Sequence, residues 1–494
     1  MGPSQLYRSS LALLTDFYQL TMAYAAWKGG VAGKEAVFHL SFRRNPFEGG
    51  YAVAAGLEDA VDHLLHSRFT KDDLAFLSAR CGEDGKPLFE PAFLDWLAGM
   101  RLDVDVDAVP EGTVVFPHEP LLRVRGPVVP CMLLESPLLA IVNFQTLVAT
   151  KAARIVLAAR GQPVVEFGLR RAQGIDGALS ASRAAYVGGV SGTSNVLAAK
   201  LYGIPVKGTH AHSWVMLFDD ELEAFLAYAS ALPSNTVLLV DTYDTLDGVR
   251  HAAQVGRWLR EQGHRMAGIR LDSGDLAWLS QQARKILDEA GLGDTVILAS
   301  NELDEYVITA LHDQKAAVAV WGVGTRLVTG WGEPALGGVY KLSAVRDGPG
   351  APWEYRVKLS EQLAKTTVPG ILQVRRFRHA DGYLADAIYD VDLGLPESPE
   401  MVDPLDHTRR RVVPAGTPGE DLLIPVLRAG AAVWTPPPLA EVRARAQAEL
   451  SRFHAGVKRL VHPHSYPVGL ERALHDLRTR LVLEAREGNQ RRSP

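Results

Sequence analysis

Leu14, Phe17, Tyr18, Met22 and Ala25 fall on one face of a helix drawn over Leu11–Ala26, the first element the chain predicts. Short apolar segments follow at Glu35–Phe42, Val104–Val109 and Leu121–Val124, set apart by Gly and Pro, and read as an α+β unit. From Pro137 the texture changes. A long apolar helix, Leu138–Ala159, stops at Gly161. Strands and helices then alternate. PVVEFG precedes a helix around Ala172–Ala185, IPVKG precedes Glu221–Ala229, and TVLLVD precedes Gly248–Gln262. MAGIRLD precedes Leu276–Ala290, TVILASN precedes Glu302–Leu311, and AAVAVWG runs into a glycine loop, with one more short strand near Gly188–Val190. Roughly seven strands in about 200 residues predict parallel βαβ units and an irregular (β/α) barrel. A doubly wound open sheet fits the same periodicity. Strands at Gly338–Leu342 and Leu372–Phe377, a Pro-rich break at Thr435–Pro438 and a helix at Leu439–Phe453 follow. The expected class is α/β. A discontinuous α+β domain, 1–130 with 336–435, accompanies a barrel over 131–335, and 436–494 forms a C-terminal helical extension and tail.

Composition narrows the function classes. With 494 residues the chain exceeds what one core usually supports. A net charge of −5, from 52 basic and 57 acidic residues, carries no basic excess, which argues against a nucleic-acid partner. The two cysteines, Cys81 and Cys131, have no metal-ligand spacing, so a reducing, cytoplasmic setting is expected. The first residues contain no long apolar core, so neither a signal peptide nor a membrane partner is expected. Arg486, Arg491 and Arg492 read as a frayed polar tail.

Nearly every polar cluster stands just after a predicted strand. These are Arg170-Arg171, Thr209-His210-Ala211-His212, Asp241-Thr242-Tyr243-Asp244, Asp272-Ser273-Gly274-Asp275, Asn301-Glu302 and Gly322-Val323-Gly324-Thr325. In a barrel these points converge on the C-terminal face, where catalytic groups gather. Each has a plainer use. GVGT is an ordinary turn in many proteins, but its place after the last assignable strand points to a phosphate on backbone N–H groups, with a close approach at Gly324. DSGD alone reads first as an Asp-initiated helix cap, with ribose hydroxyls or a hydrated Mg2+ as the alternative. Arg170 and Arg171 suit a carboxylate or phosphate and equally an exposed salt bridge. Arg270, inside an apolar run, needs an anion or Asp272. His210 and His212 lack further ligands for zinc, and His210 reads as a hydrogen-bonded barrel histidine.

Together these segments resemble the nicotinate phosphoribosyltransferase family, of type II phosphoribosyltransferase fold. The resemblance rests on TDFYQLTM, EFGLRRAQGIDGAL, GGVSGTSNVLA, GTHAHSW, VDTYDT, IRLDSGDL, SNELDE, GVGTRLVT, GGVYKL and KTTVPG, in that order from Thr15 to Gly370. It implies transfer of the phosphoribosyl group of phosphoribosyl pyrophosphate to nicotinate in NAD salvage. ATP would act as co-substrate, Mg2+ would be carried mainly by pyrophosphate, and the enzyme would be a homodimer with shared active sites.

The resemblance also implies roles. His212 matches the histidine phosphorylated from ATP. Thr209 and Arg270 match nicotinate contacts, Phe167 stacks on the pyridine ring, and Tyr18 covers its other side from the second subunit. Arg170 is grouped with nicotinate and Arg171 with phosphoribosyl pyrophosphate, although their individual partners are not separable. Gly322, Gly324 and Thr325 match the phosphate turn, and Asp241, Asp272, Ser273 and Gly274 the wall near ribose and pyrophosphate. Amide-using relatives carry an aspartate where Ser194 stands, and the plainer use of Ser194 is to cap the helix beginning near Asn195. His210 is a departure, at a position apolar or small in many members. Rival readings are a nicotinamide phosphoribosyltransferase, a quinolinate phosphoribosyltransferase and a non-catalytic relative that binds phosphoribosyl pyrophosphate or a nucleotide.

Overall fold

The computed structural model describes residues 10–360, 362 and 366–490. The first nine residues, Lys365 of KTTVPG, and Arg491 and Arg492 lie outside the described residues. The chain divides into two compact units, Met1–Leu147 with Ala335–Pro494, and Val148–Pro334.

The first unit is built on a seven-stranded sheet in which Glu35–Phe42 pairs antiparallel with both Gly338–Arg346 and Leu122–Pro127. Glu35–Phe42 is buried at all but two positions, and its alternate residues Phe38, Leu40 and Phe42 share a large core with Val106, Val124 and Tyr340. A second, six-stranded sheet contains Leu372–His379, Gly382–Asp390 and Val468–Glu471. Beyond the expected helix, which runs Leu439–Arg452, the chain is not a loose tail. The strand Val468–Glu471 leads into a helix, Arg472–Gln490, with Leu470 and Leu474 buried, and Arg486 lies on that helix.

The first helix spans Phe17–Lys28 and corrects one expectation. Its buried residues are Gln19, Leu20, Ala23 and Ala26. The stripe Leu14, Phe17, Tyr18, Met22 and Ala25 is the exposed one, with Phe17 and Tyr18 showing 53 % and 48 % of their surface. Aromatic packing explains the choice: Tyr24 meets Phe89 and Phe93 at ring-centroid distances of 5.5 and 5.1 Å, so the helix docks by its other side.

The helix Glu135–Ala158 is long and apolar enough to cross a bilayer by length and composition, yet 67 % of its apolar window is buried inside the protein. Burial of that kind is what a core helix shows.

The second unit holds six strands, all parallel, in the order Gly192–Thr193, Val164–Glu166, Val320–Val323, Val296–Ala299, Gly268–Leu271 and Val237–Leu239, curled as a half-barrel. Helices follow the strands: Gly174–Val187, Thr245–Glu261, Leu276–Glu289 and Glu305–Asp313. The expected strand at IPVKG shrinks to one parallel bridge, Thr193 to Val206, and the strand anticipated at Gly188–Val190 falls instead at Gly192–Thr193.

Candidate active site

The ends of these strands carry the clusters singled out above, and the structure divides their work. In both acidic tetrads the last carboxylate caps the next helix. Asp244 accepts the N–H of Asp247 at 2.9 Å, and Asp275 accepts that of Trp278 at 3.0 Å. The first carboxylate of each is left to the site. Asp241 Oδ2 accepts the N–H of Asp272 at 2.8 Å and the Ser273 hydroxyl at 2.7 Å, while its buried Oδ1 has no hydrogen-bond partner among the described residues. Asp272 accepts the Ser300 hydroxyl through Oδ1. Gly274, at φ +77°, lets the chain turn between the two roles.

His212 joins this group. Its Nδ1 lies 3.2 Å from the Thr242 hydroxyl and its Nε2 3.9 Å from Asp272 Oδ2, with the ring part-exposed. His210, two residues earlier, is buried. Its Nε2 accepts the N–H of Leu239 at 3.1 Å, and burial lowers its pKa to about 4, which keeps the ring neutral. It therefore adds no second charge beside His212. Thr209 donates its hydroxyl to the carbonyl of His210 at 3.0 Å.

Arg270 sits on Gly268–Leu271, between Leu239 and Leu298 of the flanking strands. Its Nε is buried without a hydrogen-bond partner among the described residues. Burial lowers its pKa, the carboxylates of Asp272 and Asp241 offset part of that, and Arg170 adds to it. Of the two partners the sequence offered it, an outside anion or Asp272, the latter makes no ion pair with it. A half-buried guanidinium with a buried, unbonded Nε invites an anion from outside. Arg170 and Arg171 follow the strand Val164–Glu166 on the short turn Leu169–Arg171, where both are exposed.

Phe167 is half-buried, its N–H donating to Val323 C=O at 2.8 Å. Its ring lies so close to Gly322 that a Cβ there would meet ring carbons at 2.6 and 2.7 Å. At Gly324 a Cβ would meet backbone atoms alone, the nearest being the Phe167 carbonyl oxygen at 3.3 Å, so the close approach belongs to Gly322. Thr325 donates its hydroxyl to Glu302 at 3.1 Å, and Arg326 pairs with the buried Asp304 at 2.6 Å.

Ser194 does not cap the following helix. That helix is Val196–Tyr202, and Asn195 caps it by accepting the N–H of Ala198 at 3.2 Å. Ser194 contributes its backbone N–H to the Glu166 carbonyl at 2.9 Å and is half-buried. Glu166 was missed by sequence reasoning. It is fully buried, and its carboxylate accepts from Ser182 at 2.9 Å and from Thr193 and the Gly168 N–H. It thus ties the Phe167 and Ser194 loops together. The only signal in the sequence is an acid inside the apolar run PVVEFG. Ser300 was likewise not singled out, and Thr242 was read only as a member of DTYD.

Three family descriptions match in tandem. The nicotinate phosphoribosyltransferase N-terminal domain covers residues 13–143, the nicotinate phosphoribosyltransferase family 163–347, and the nicotinate phosphoribosyltransferase C-terminal domain 373–478. The chain is an enzyme of the nicotinate phosphoribosyltransferase family. Nicotinate phosphoribosyltransferase of Bacillus subtilis is 41 % identical over 495 residues, covering 97 % of this chain and 98 % of the relative. The Homo sapiens nicotinate phosphoribosyltransferase is 38 % identical, covering 94 % and 95 %. The crystal structure of human nicotinic acid phosphoribosyltransferase superposes with a TM-score of 0.82 at 36 % identity, covering 94 % of this chain and 99 % of that one. A nicotinate-nucleotide pyrophosphorylase from Pyrococcus furiosus, at 22 % identity and a TM-score of 0.68, covers 90 % and 95 % and shares the fold.

Proposed function

We propose that this enzyme joins nicotinate to the ribose of phosphoribosyl pyrophosphate, giving nicotinate mononucleotide and pyrophosphate as the first step of NAD salvage from nicotinate. The carrying observation is Arg270, a half-buried arginine whose buried Nε lacks a partner among the described residues, beside the carboxylates of Asp241 and Asp272. An anionic ring substrate satisfies the arginine, and the acid pair suits ribose hydroxyls and a bound cation. The pyridine nitrogen is already a nucleophile and needs no base. Its lone pair forms the bond to the ribose anomeric carbon as the bond to pyrophosphate breaks, and pyrophosphate leaves with the electron pair. The protein's part is alignment and charge stabilisation.

In this reading Arg270 and Thr209 hold the carboxylate of nicotinate and Phe167 stacks on its ring. The Gly322–Thr325 stretch, where the strand Val320–Val323 passes through Gly324 into the helix Thr325–Val328, and Arg171 receive the phosphates. Among the described residues no three metal-ligating side chains cluster. Mg2+ is carried mainly by pyrophosphate with one or two carboxylates in support, and the unpartnered Asp241 Oδ1 with Asp272 would supply them. Bound there, the ion would neutralise charge building on the leaving group. ATP is the co-substrate that phosphorylates His212, driving an otherwise poorly balanced equilibrium. The parallel sheet is read as an irregular (β/α) barrel. The exposed stripe Leu14, Phe17, Tyr18, Met22 and Ala25 is read as the surface on which a second copy sits, so that Tyr18 closes its partner's site. The enzyme is placed in the cytoplasm.

Purified protein with phosphoribosyl pyrophosphate and Mg2+, offered nicotinate, nicotinamide or quinolinate with and without ATP, tests this. Mononucleotide should form from nicotinate, and faster with ATP. Preference for the amide makes the enzyme a nicotinamide phosphoribosyltransferase, preference for the diacid a quinolinate one, and binding without turnover a non-catalytic relative.

A further inference from the structure

The sheet of the second unit has two ends. At one, the Gly192–Thr193 strand is continued by the 205–207 segment, with Thr193 N–H donating to Pro205 C=O at 3.0 Å and Lys207 N–H to Thr193 C=O at 2.9 Å. At the other stands Val237–Leu239, paired on one side only, with Gly268–Leu271. Donors alternate in direction along a parallel strand. Val240 donates to Arg270 C=O at 3.2 Å, so the N–H of Leu239 points the opposite way, out of the sheet's edge. An open edge leaves such a donor without a ladder partner, and Leu239 is fully buried. His210 fills the place. It follows the 205–207 segment by three residues, and its Nε2 accepts the Leu239 N–H at 3.1 Å.

We propose that His210 is a positioning residue: its imidazole stands in for a missing strand, ties the 205–210 segment to the edge strand Val237–Leu239, and thereby sets where Thr209 and His212 stand. The ring is built for the task. It lies edge-on to Tyr228 at 4.8 Å and near Phe225 at 6.0 Å, so it cannot swing out, and its Nδ1 faces the Ala211 carbonyl at 3.3 Å. That second contact makes Nδ1 the protonated nitrogen and leaves Nε2 as the acceptor. Burial, which lowers the pKa to about 4, keeps the acceptor free at neutral pH. Beyond the staple the chain leaves the strand's end at Leu239 for Asp241 and Thr242. The latter hydroxyl is 3.2 Å from His212 Nδ1, so both flanks of the staple lead to the same histidine.

The catalytic meaning rests on the role given above to His212 and Thr209, whereas the staple itself does not. Two substitutions separate the acceptor from the ring. His210→Phe keeps the aromatic packing and removes the acceptor. His210→Gln gives up the ring and keeps an amide oxygen at similar reach. The Phe variant should lose ten-fold or more in kcat/KM for nicotinate, and hydrogen exchange at the Leu239 amide should quicken markedly. The Gln variant should stay within about three-fold in turnover, with Leu239 still protected. A Phe variant as active as the Gln variant, or unchanged protection of Leu239, overturns the proposal. Should the Phe variant not fold, 15N-histidine spectra of the unaltered enzyme decide: an Nε2-protonated or cationic His210 at pH 7 cannot accept the Leu239 N–H and sinks it. Failure to detect a phosphorylated His212 would remove that reading and leave the exchange and spectral results to stand alone.

Discussion

Replacing Gly322 by alanine should loosen the grip on nicotinate more than on phosphoribosyl pyrophosphate. The new Cβ would lie 2.6 Å from Cε2 and 2.7 Å from Cδ2 of Phe167, with Ser300 Cβ at 3.3 Å on another side. Carbon contacts settle at about 3.5–4.0 Å, so the ring must retreat by about 1 Å. The Phe167 backbone is held by its 2.8 Å bond to Val323, and the retreat falls on the side chain. Overpacking of this kind costs about 1–3 kcal/mol of stability. For the reaction, a misplacement of about 1 Å costs on the order of 10²-fold, and kcat/KM for nicotinate should fall by about ten- to hundred-fold. KM for phosphoribosyl pyrophosphate should move by less than about three-fold, because the altered contact is made to the ring and not to the phosphates. Steady-state kinetics with each substrate varied, alongside urea unfolding, separates the two effects. Gly324→Ala is the control for the ring contact alone: its Cβ meets no Phe167 ring atom, only backbone at 3.3 Å and beyond, and its effect should fall on phosphoribosyl pyrophosphate instead. A folded Gly322→Ala enzyme with unaltered nicotinate kinetics would refute the stacking role of Phe167.

His212→Ala should abolish the acid-labile, alkali-stable phosphoprotein formed from ATP while sparing some phosphoribosyl transfer; a label that survives assigns the phosphate elsewhere. Ser194→Asp should lose nicotinate turnover by a large factor and gain nicotinamide turnover, because a carboxylate there repels an acid and accepts from an amide. Since Asn195 does the capping, that change should leave the urea midpoint nearly untouched, and retained nicotinate preference would place selectivity elsewhere. Mixing Tyr18→Ala subunits with Arg270→Ala subunits should restore activity, one site in each mixed dimer being intact; no recovery after verified exchange puts both residues in one chain's site. Burial holds His63, His118 and His210 at about 4, against 6.5 in the unfolded chain. As pH falls from about 6.5 to about 4 the unfolded chain takes up protons that the folded one refuses, so stability drops across that window and not above it. Urea midpoints that stay flat from pH 7 to pH 4.5 would contradict this.

Order along the chain was legible without coordinates wherever a local rule governed it. The alternation of strands and helices from PVVEFG to AAVAVWG follows from hydrophobic period, and the polar groups after each strand follow from where strands end. The motif series from Thr15 to Gly370 carried the family in the same way, because its residues are read in sequence order. Questions of partner and side were not legible. The face of the first helix is a case: its apolar stripe is the exposed one, decided by aromatic residues some seventy positions away at Phe89 and Phe93. Ser194 and Asn195 are equally good caps by type, and only the turn geometry gave the task to Asn195. The same holds inside DTYD and DSGD, where either aspartate qualifies and the helix starts selected Asp244 and Asp275, leaving Asp241 and Asp272 for the site. IPVKG has the composition of a strand, but only Val206 finds a ladder partner, in Thr193, and past it a single histidine ring takes over from the ladder. Local pattern thus determined which elements and chemical groups this protein has. Only the tertiary structure decided which of them meet, because burial, hydrogen-bond satisfaction and the pKa of Arg270 or His210 depend on atoms brought close from elsewhere in the chain.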